Sequence, residues 1–350
     1  MKIRELTAYL ERIAPPTYQE SYDNAGLITG NPNDKITGVM LCLDSTEAVL
    51  DEAIKKGCNL IIAHHPIVFK GLKRITGRNY VERVIIKAIK NDLAIYAAHT
   101  NLDNVRTGVN AKICETLGLT HTQILVPKST LKKLTVYTSL DTSDSIRQAL
   151  FKVGAGAFND VQQASFTTLG ANTNAGKMDA QSRIEVIFET ALEGQVIRAL
   201  HETTTAESPI YEIAKIENRD ARTGSGMIGT LPRAMTETTF LKRLRSRMKT
   251  GCVKHTALSG KKIKTVAVCG GSGGFLLPHA IRQGADVFVT ADYKYHEFFD
   301  ADSKIIIADI GHYESEQFTI ELFNELITQK FSTFAVYLTK VNTNPVKYFY

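Results

Sequence analysis

An α/β protein, with a mostly parallel sheet, flanking helices and an inserted ferredoxin-like α+β domain, is the fold class this sequence predicts. Two observations predict it. From residue 36 to about 107, and again from 263 onward, apolar runs bounded by turn residues alternate with stretches of helical periodicity. That is the strand-helix-strand rhythm of a parallel sheet covered by helices. Between 131 and 235 the rhythm gives way to the order βαββαβ, the ferredoxin-like plan. The expected division is 1–130 and 236–350 as two halves of one domain, with 131–235 set between them.

The elements follow in order. Residues 1–14 place Ile3, Leu6, Leu10 and Ile13 at helical spacing among charged residues, an amphipathic helix without the continuous apolar stretch of a signal peptide. Strands are expected at 36–43, 59–63 and 94–98, with helices at 45–56, 81–91 and from 107. In the middle segment, strand 132–139 and helix 143–153 lead to a hairpin of 163–169 and 183–188 joined by a long polar loop, then helix 193–201 and strand 210–216. Afterwards come strand 263–268, a Gly270–Gly274 loop, a helix to about 282, strand 286–290, a helical-looking 293–299, strand 304–308, a long helix ending near 330 and strand 333–338.

Composition narrows the class. No run approaches the length of a membrane span. The five cysteines, Cys42, Cys58, Cys114, Cys252 and Cys269, are scattered without a Cys-x-x-Cys spacing, as expected of reduced thiols in a cytoplasmic protein. The net charge of +6 is unevenly spread: 241–264 holds nine Lys or Arg and no acid. A nucleic-acid patch is one reading of that run. A solvated helix face is the simpler one, because no aromatic platform accompanies the charge.

The chemistry is carried by histidines and carboxylates at expected strand ends, where parallel sheets bind ligands. His64 and His65 close the apolar run 59–63 and are followed at once by Pro66. Successive strand residues face opposite ways, so both rings reach one site only if the strand stops there, and Pro66 stops it. Such a corner can offer one nitrogen to each of two neighbouring metal ions. His312 and Glu316, four residues apart at a helix start, share one face and can grip one ion. Asp103, just after the strand 94–98, supplies a second carboxylate. Taken singly, each has a plainer explanation, such as carbonyl-bonded imidazoles, an acid against a helix dipole or an Asp cap. Their coincidence favours metal.

At these positions the sequence resembles the Nif-three-like dinuclear metal-centre family, the type-two homologues of GTP cyclohydrolase I. The resemblance rests on Ser21-Tyr22-Asp23-Asn24-Ala25-Gly26-Leu27, Leu43-Asp44-Ser45-Thr46, Ala63-His64-His65-Pro66, His99-Thr100-Asn101-Leu102-Asp103, Thr290-Ala291-Asp292-Tyr293-Lys294-Tyr295-His296 and Gly311-His312-Tyr313-Glu314-Ser315-Glu316, in family order. It covers about 1–130 and 250–350. It implies a metal pair held by His64, His65, Asp103, His312 and Glu316, a PII-like or CutA-like middle domain, and a ring-shaped homohexamer.

Three imidazoles and two carboxylates cannot close two tetrahedral shells unless a carboxylate bridges and waters complete them. The donor set suits zinc, with manganese or ferrous iron close behind. Two divalent ions less two carboxylates leave a charge of about +2, enough to lower the pKa of bridging water and to attract a small anionic substrate. The function expected is a metal-dependent hydrolase whose metal-bridged hydroxide attacks a nucleotide-like heterocycle or a phosphoester. The alternative is a metal-binding regulatory or chaperone protein whose inserted domain senses a ligand. His99, His296, Asp44 and Asp292 are candidates for orienting ligands or transferring protons, and of these His99 and His296 are assigned as catalytic. The Gly270–Gly274 loop could cradle a phosphate, and Lys70, Lys73 and Arg74 could steer one.

Overall fold

The computed structural model describes residues 1–204 and 209–349. By contact density the chain divides into Met1–Val126 with Gly224–Tyr350, and Pro127–Thr223. The first unit holds two sheets. One has five strands in the order Gly26–Thr29, Ala94–Ala97, Leu60–Ala63, Gly38–Cys42, Ala335–Leu338. The last four run parallel and the first is antiparallel to its neighbour. The other has six, in the order Lys254–His255, Ile306–Asp309, Val287–Ala291, Lys262–Ser272, Asp220–Thr236, Thr120–Lys128. Its middle three are parallel, while Lys254–His255 and Asp220–Thr236 pair antiparallel with them. The expectation of one mostly parallel sheet is corrected accordingly: there are two sheets, both mixed, the five-stranded one antiparallel at one edge only and the six-stranded one with antiparallel strands on both sides of its parallel centre. The centres read as continuous apolar runs because both faces are covered.

Around the five-stranded sheet, Met40, Ile61 and Ile95 pack with Val49, Leu50 and Ala53 of helix Glu47–Lys55 and Val84 and Ala88 of helix Tyr80–Lys90. Thr46 and Asn79 cap those helices with side-chain oxygens, as small polar residues ahead of an apolar stripe do. Around the six-stranded sheet, Phe288, Ala267, Ile307 and Ile228 pack with Leu276, Leu277 and Ala280. Helix Glu237–Arg247 buries Phe240 and Leu244 and leaves Lys242, Arg245 and Arg247 exposed. Arg243 instead donates to the Leu117 carbonyl at 2.7 and 3.1 Å.

The unit Pro127–Thr223 has a four-stranded antiparallel sheet ordered Phe166–Asn174, Lys177–Glu189, Leu131–Ser139, Ile210–Lys215. Helices Ser143–Lys152 and Glu193–Thr203 share its core through Ile146, Leu150, Val196 and Leu200. The long polar loop expected in the hairpin is absent. Its strands run on to Asn174 and Lys177, turning at Ala175 (φ 48°) and Gly176 (φ 78°), the two positive φ values a tight hairpin turn requires. Residues 224–235, expected in the middle segment, pair in the six-stranded sheet, with Met227–Thr236 alongside 262–268. The helix expected to run from 312 to 330 is two, His312–Glu316 and Thr319–Thr328. Among the described residues no helix is long and apolar enough to cross a membrane.

Ile61, in the middle strand of the five-stranded sheet, is wholly buried. Ile61→Ala is expected to cost about 2–5 kcal/mol, measured by urea unfolding.

Candidate functional site

Every parallel strand from Gly38–Cys42 to Ala94–Ala97, and both Val287–Ala291 and Ile306–Asp309, ends against one cavity. Just beyond these ends stand Asp44, His64 with His65, His99, Asp292 and His312. The strand carrying the histidine pair stops at Ala63. His64 N then donates to the Cys42 and Leu43 carbonyls, and His65 N to Leu43 O at 3.0 Å. With pleating ended, the two rings lie 4.9 Å apart between centroids, on the same side.

Each ring is held by one nitrogen. His64 Nδ1 lies 2.8 Å from Ala98 O, His65 Nδ1 2.8 Å from Asp44 Oδ1, and His312 Nδ1 2.6 Å from Asp292 Oδ2. An Nδ1–H donated to an acceptor fixes the orientation of the ring and turns Nε2 toward the centre of the cluster, where it can ligate a metal once it carries no proton. All three Nε2 atoms converge on Glu316. Its Oε2 lies 3.0 Å from that of His65, 3.1 Å from that of His312 and 3.8 Å from that of His64. Asp103 Oδ1 approaches His64 Nε2 at 3.6 Å.

The last two atoms are buried and, unlike nearly all such atoms, have no hydrogen-bond partner. Asp103 therefore caps nothing with Oδ1, and His64 offers a bare nitrogen in a dry setting. Two triads, His65 with His312 and Glu316, and His64 with Asp103 and Glu316, each bring three ligand atoms within 4.8 Å of one another. A third joins His64, His65 and His99. The donor set and the orphaned atoms fit a metal ion.

Charge is distributed accordingly. Burial drives His64 down to about 4, so it stays neutral. Burial opposes charge on His65 and His312 too, but hydrogen bonds and the carboxylates of Asp44, Asp292 and Glu316 overcome it and raise them to about 9 and about 11. Burial, then the nearby Glu316 charge, raises Asp103 well above the carboxylate range. Glu316 is also pushed up by burial, yet the His312 charge and the bonds from the His312 and His65 imidazoles hold it far below that range.

Close backbone approach explains the glycine loop. A Cβ at Gly271 would stand 2.5 Å from Glu316 Oε1, and φ there is +61°. The amides of Gly270, Gly271 and Gly273 are committed to Asn110 Oδ1, Ser315 Oγ and Thr290 Oγ1. None of these three is left for a phosphate. Lys70, Lys73 and Arg74 are exposed and do not line the cavity. Asp292 bends back to His312 through a left-handed conformation, φ 59°.

His99 joins the cluster, its ring 5.3 Å from those of His64 and His65. Its Nδ1 is 2.8 Å from Asp23 Oδ1. Asp23 also accepts from Thr100 N and Oγ1; burial opposes its charge, but these bonds hold it down to about 2. His296 is not brought there. It lies exposed on the 3₁₀ turn Tyr295–Ala301, edge-on to Tyr295 and away from the cavity lining, because the chain reverses at Asp292 before reaching it. Asp23, Thr343 and Glu314 carry site contacts to which sequence reasoning gave no role. Asp23 and Glu314 lay within quoted motifs, and Thr343 had no signal beyond being polar.

The cavity encloses about 760 Å³. It is lined by seven carboxylates (Glu20, Asp44, Asp103, Asp292, Asp309, Glu314, Glu316) and one lysine, Lys254, whose Nζ sits 2.6 Å from Asp309. Tyr22, Tyr80 and Phe275 stand on the lining with 68, 61 and 65% of their surface exposed, and Phe69 packs edge-on against His99 at 5.4 Å.

Comparisons with known proteins agree on a family. The family model described as Duf34/NIF3 (NGG1p interacting factor 3) matches residues 1–345. A Bacillus subtilis protein named GTP cyclohydrolase 1 type 2 homolog is 33% identical, over 98% of this chain and 97% of its own. A homolog of the same name from Halalkalibacterium halodurans is 35% identical over 96% and 95%. The crystal structure of a Bacillus cereus protein related to NIF3 superposes with a TM-score of 0.84 at 32% identity, covering 100% of this chain and 99% of that one.

Two measurable consequences follow from this geometry. With His65 and His312 protonated at pH 7, a bound cation must displace their protons. Zinc binding is therefore expected to release protons and to strengthen as pH rises from 6 to 8, measured by calorimetry in buffers of different ionisation enthalpy. Gly271→Ala, which drives a methyl into Glu316, is expected to weaken zinc binding at least tenfold, about 1.4 kcal/mol, measured by chelator competition.

Proposed function

The chain belongs to the Duf34/NIF3 family, and from that premise we propose that it is a dinuclear-metal hydrolase acting on a small molecule with a planar heterocycle. The observation that carries the metal pair is the sharing of Glu316 by two ligand triads, one with His65 and His312 and the other with His64 and Asp103. Zinc suits this imidazole and carboxylate set, with manganese or ferrous iron as alternatives. Such ions supply a Lewis acid that polarises a substrate and brings the pKa of water toward neutrality.

The chain's own residues do the rest. Asp44, Asp292 and the Ala98 carbonyl orient three imidazoles so that each presents Nε2. His99, oriented by Asp23 through Nδ1, keeps Nε2 for proton transfer to the leaving group. His296 has no part in this reading.

Heterocycle chemistry is favoured over phosphoester chemistry by three features of the cavity. Asp44 and Asp292 add two negative charges to those of Asp103 and Glu316, so two divalent ions are matched rather than left in excess. Three of the glycine-loop amides, those of Gly270, Gly271 and Gly273, are committed internally. Exposed aromatic faces at Tyr22, Tyr80 and Phe275 offer stacking surface instead. The name of the Bacillus subtilis relative, a cyclohydrolase homolog, agrees with ring opening by water. The unpaired cysteines fit a reduced, cytoplasmic setting. On the same reading Pro127–Thr223 is an inserted ferredoxin-like domain and the chain forms a homohexamer.

Metal analysis of the purified protein and chromatographic assay of the zinc-loaded form against nucleosides, nucleotides and glycerol phosphate test this proposal. Turnover of a nucleoside or nucleotide, abolished by Asp103→Asn, is expected; turnover of glycerol phosphate alone would overturn the substrate class. Guanosine is expected to bind within a few-fold of GTP, and Phe275→Ala to weaken both about tenfold, since one stacked base contributes about 1–3 kcal/mol.

A further inference from the structure

After the last strand, Ala335–Leu338, residues 339–349 form no regular element, yet they are pinned by side chains at several points. Thr339 Oγ1 donates to Glu52 Oε2 at 2.5 Å, and Lys340 N donates to the same carboxylate. Val341 packs against the core of the five-stranded sheet. Thr343 Oγ1 then donates to Asp44 Oδ2 at 2.6 Å, while the other oxygen of Asp44 holds His65 Nδ1 at 2.8 Å. One residue later, Asn344 Nδ2 donates to Glu314 Oε1 at 3.0 Å. Glu314 sits in the five-residue helix between His312 and Glu316. Asn344, Pro345, Val346 and Tyr348 go on to line the cavity.

The two anchor points belong to different sheets. Asp44 follows a strand of the five-stranded sheet, and Glu314 follows one of the six-stranded sheet. Consecutive residues of one irregular segment thus tie together the pieces that carry His65 on one side and His312 with Glu316 on the other. A carboxylate that accepts from both a threonine and an imidazole cannot rotate without losing one bond, so the hydroxyl of Thr343 restricts where His65 aims Nε2.

We propose that segment 339–349 is a clamp on the metal centre, with Thr343 the residue that positions Asp44 and through it His65, and Asn344 the tie to the helix of His312 and Glu316. The inference rests on the reading that these imidazoles and Glu316 hold metal, and it adds that the ligand set is incomplete without a segment that contributes no ligand.

The test uses full-length protein and chelator competition for zinc. Thr343→Val keeps the shape and removes the hydroxyl; Thr343→Ser keeps the hydroxyl. The valine variant is expected to bind zinc about 5- to 10-fold more weakly and the serine variant to be restored to within about twofold of wild type, below the span of about 10- to 100-fold seen when a ligand's own hydrogen-bond partner is removed, because Thr343 acts through Asp44. Asn344→Ala is expected to speed zinc loss to chelator several-fold. Circular dichroism and thermal melting of each variant, metal-free, check that the fold is intact, and Asn344→Ala serves where Thr343→Val does not fold. Zinc affinity unchanged in Thr343→Val, or reduced equally in valine and serine variants, overturns the positioning role while leaving the metal reading in place. Wild-type protein that binds no zinc overturns both.

Discussion

A single carboxylate oxygen, Glu316 Oε2, is approached by the Nε2 atoms of His65, His312 and His64 at 3.0, 3.1 and 3.8 Å. The rest of the site depends on that convergence. Glu316 is almost wholly buried, and a buried carboxylate is tolerated only where opposite charge and hydrogen bonds replace water. Glycines 270 and 271 give it room, Ser315 fixes the loop beside it, and the carboxylates of Asp44 and Asp292 hold two imidazoles against it from behind. The two sheets share this arrangement, so neither holds the whole cluster.

Such a centre explains why both sheets are parallel in the middle. Parallel strands align their carboxyl ends on one edge, and residues following those ends gather without long connections. The antiparallel strands Gly26–Thr29 and Lys254–His255 lie at sheet edges, where they cover hydrogen-bonding groups that would otherwise be open to another chain.

Local spacing made much of this legible in the sequence. The His-His-Pro corner and the His312/Glu316 pair are short-range patterns, and their geometry follows from where a strand stops or a helix begins. Asp103 was legible only as a residue after a strand. Thr343 was not legible, because its partner Asp44 lies far along the chain and nothing nearby distinguishes it from surface residues; Glu314 stood inside a quoted motif, but its tie to Asn344 was not legible there. His296 misled because proximity in sequence to Asp292 does not survive a left-handed turn followed by a 3₁₀ helix. Strand Asp220–Thr236 was hidden by composition: it is rich in glycine and threonine and contains a proline, and its pairing with Lys262–Ser272 on one side and Thr120–Lys128 on the other makes it a strand. Conversely, the basic run beginning at 241 was legible as an amphipathic helix, and Phe240, Leu244 and Met248 are its buried face.

Thr120 bonds Thr230, and Gly226 stands against Leu125, so strands Thr120–Lys128 and Asp220–Thr236 are neighbours running in opposite directions. The chain therefore departs near 126 and rejoins near 224 at adjoining points of one sheet, and every described residue that lines the cavity lies outside the excursion. A short hairpin loop can close the same gap. What is threaded between those two strands can then differ in length without altering any residue that lines the cavity.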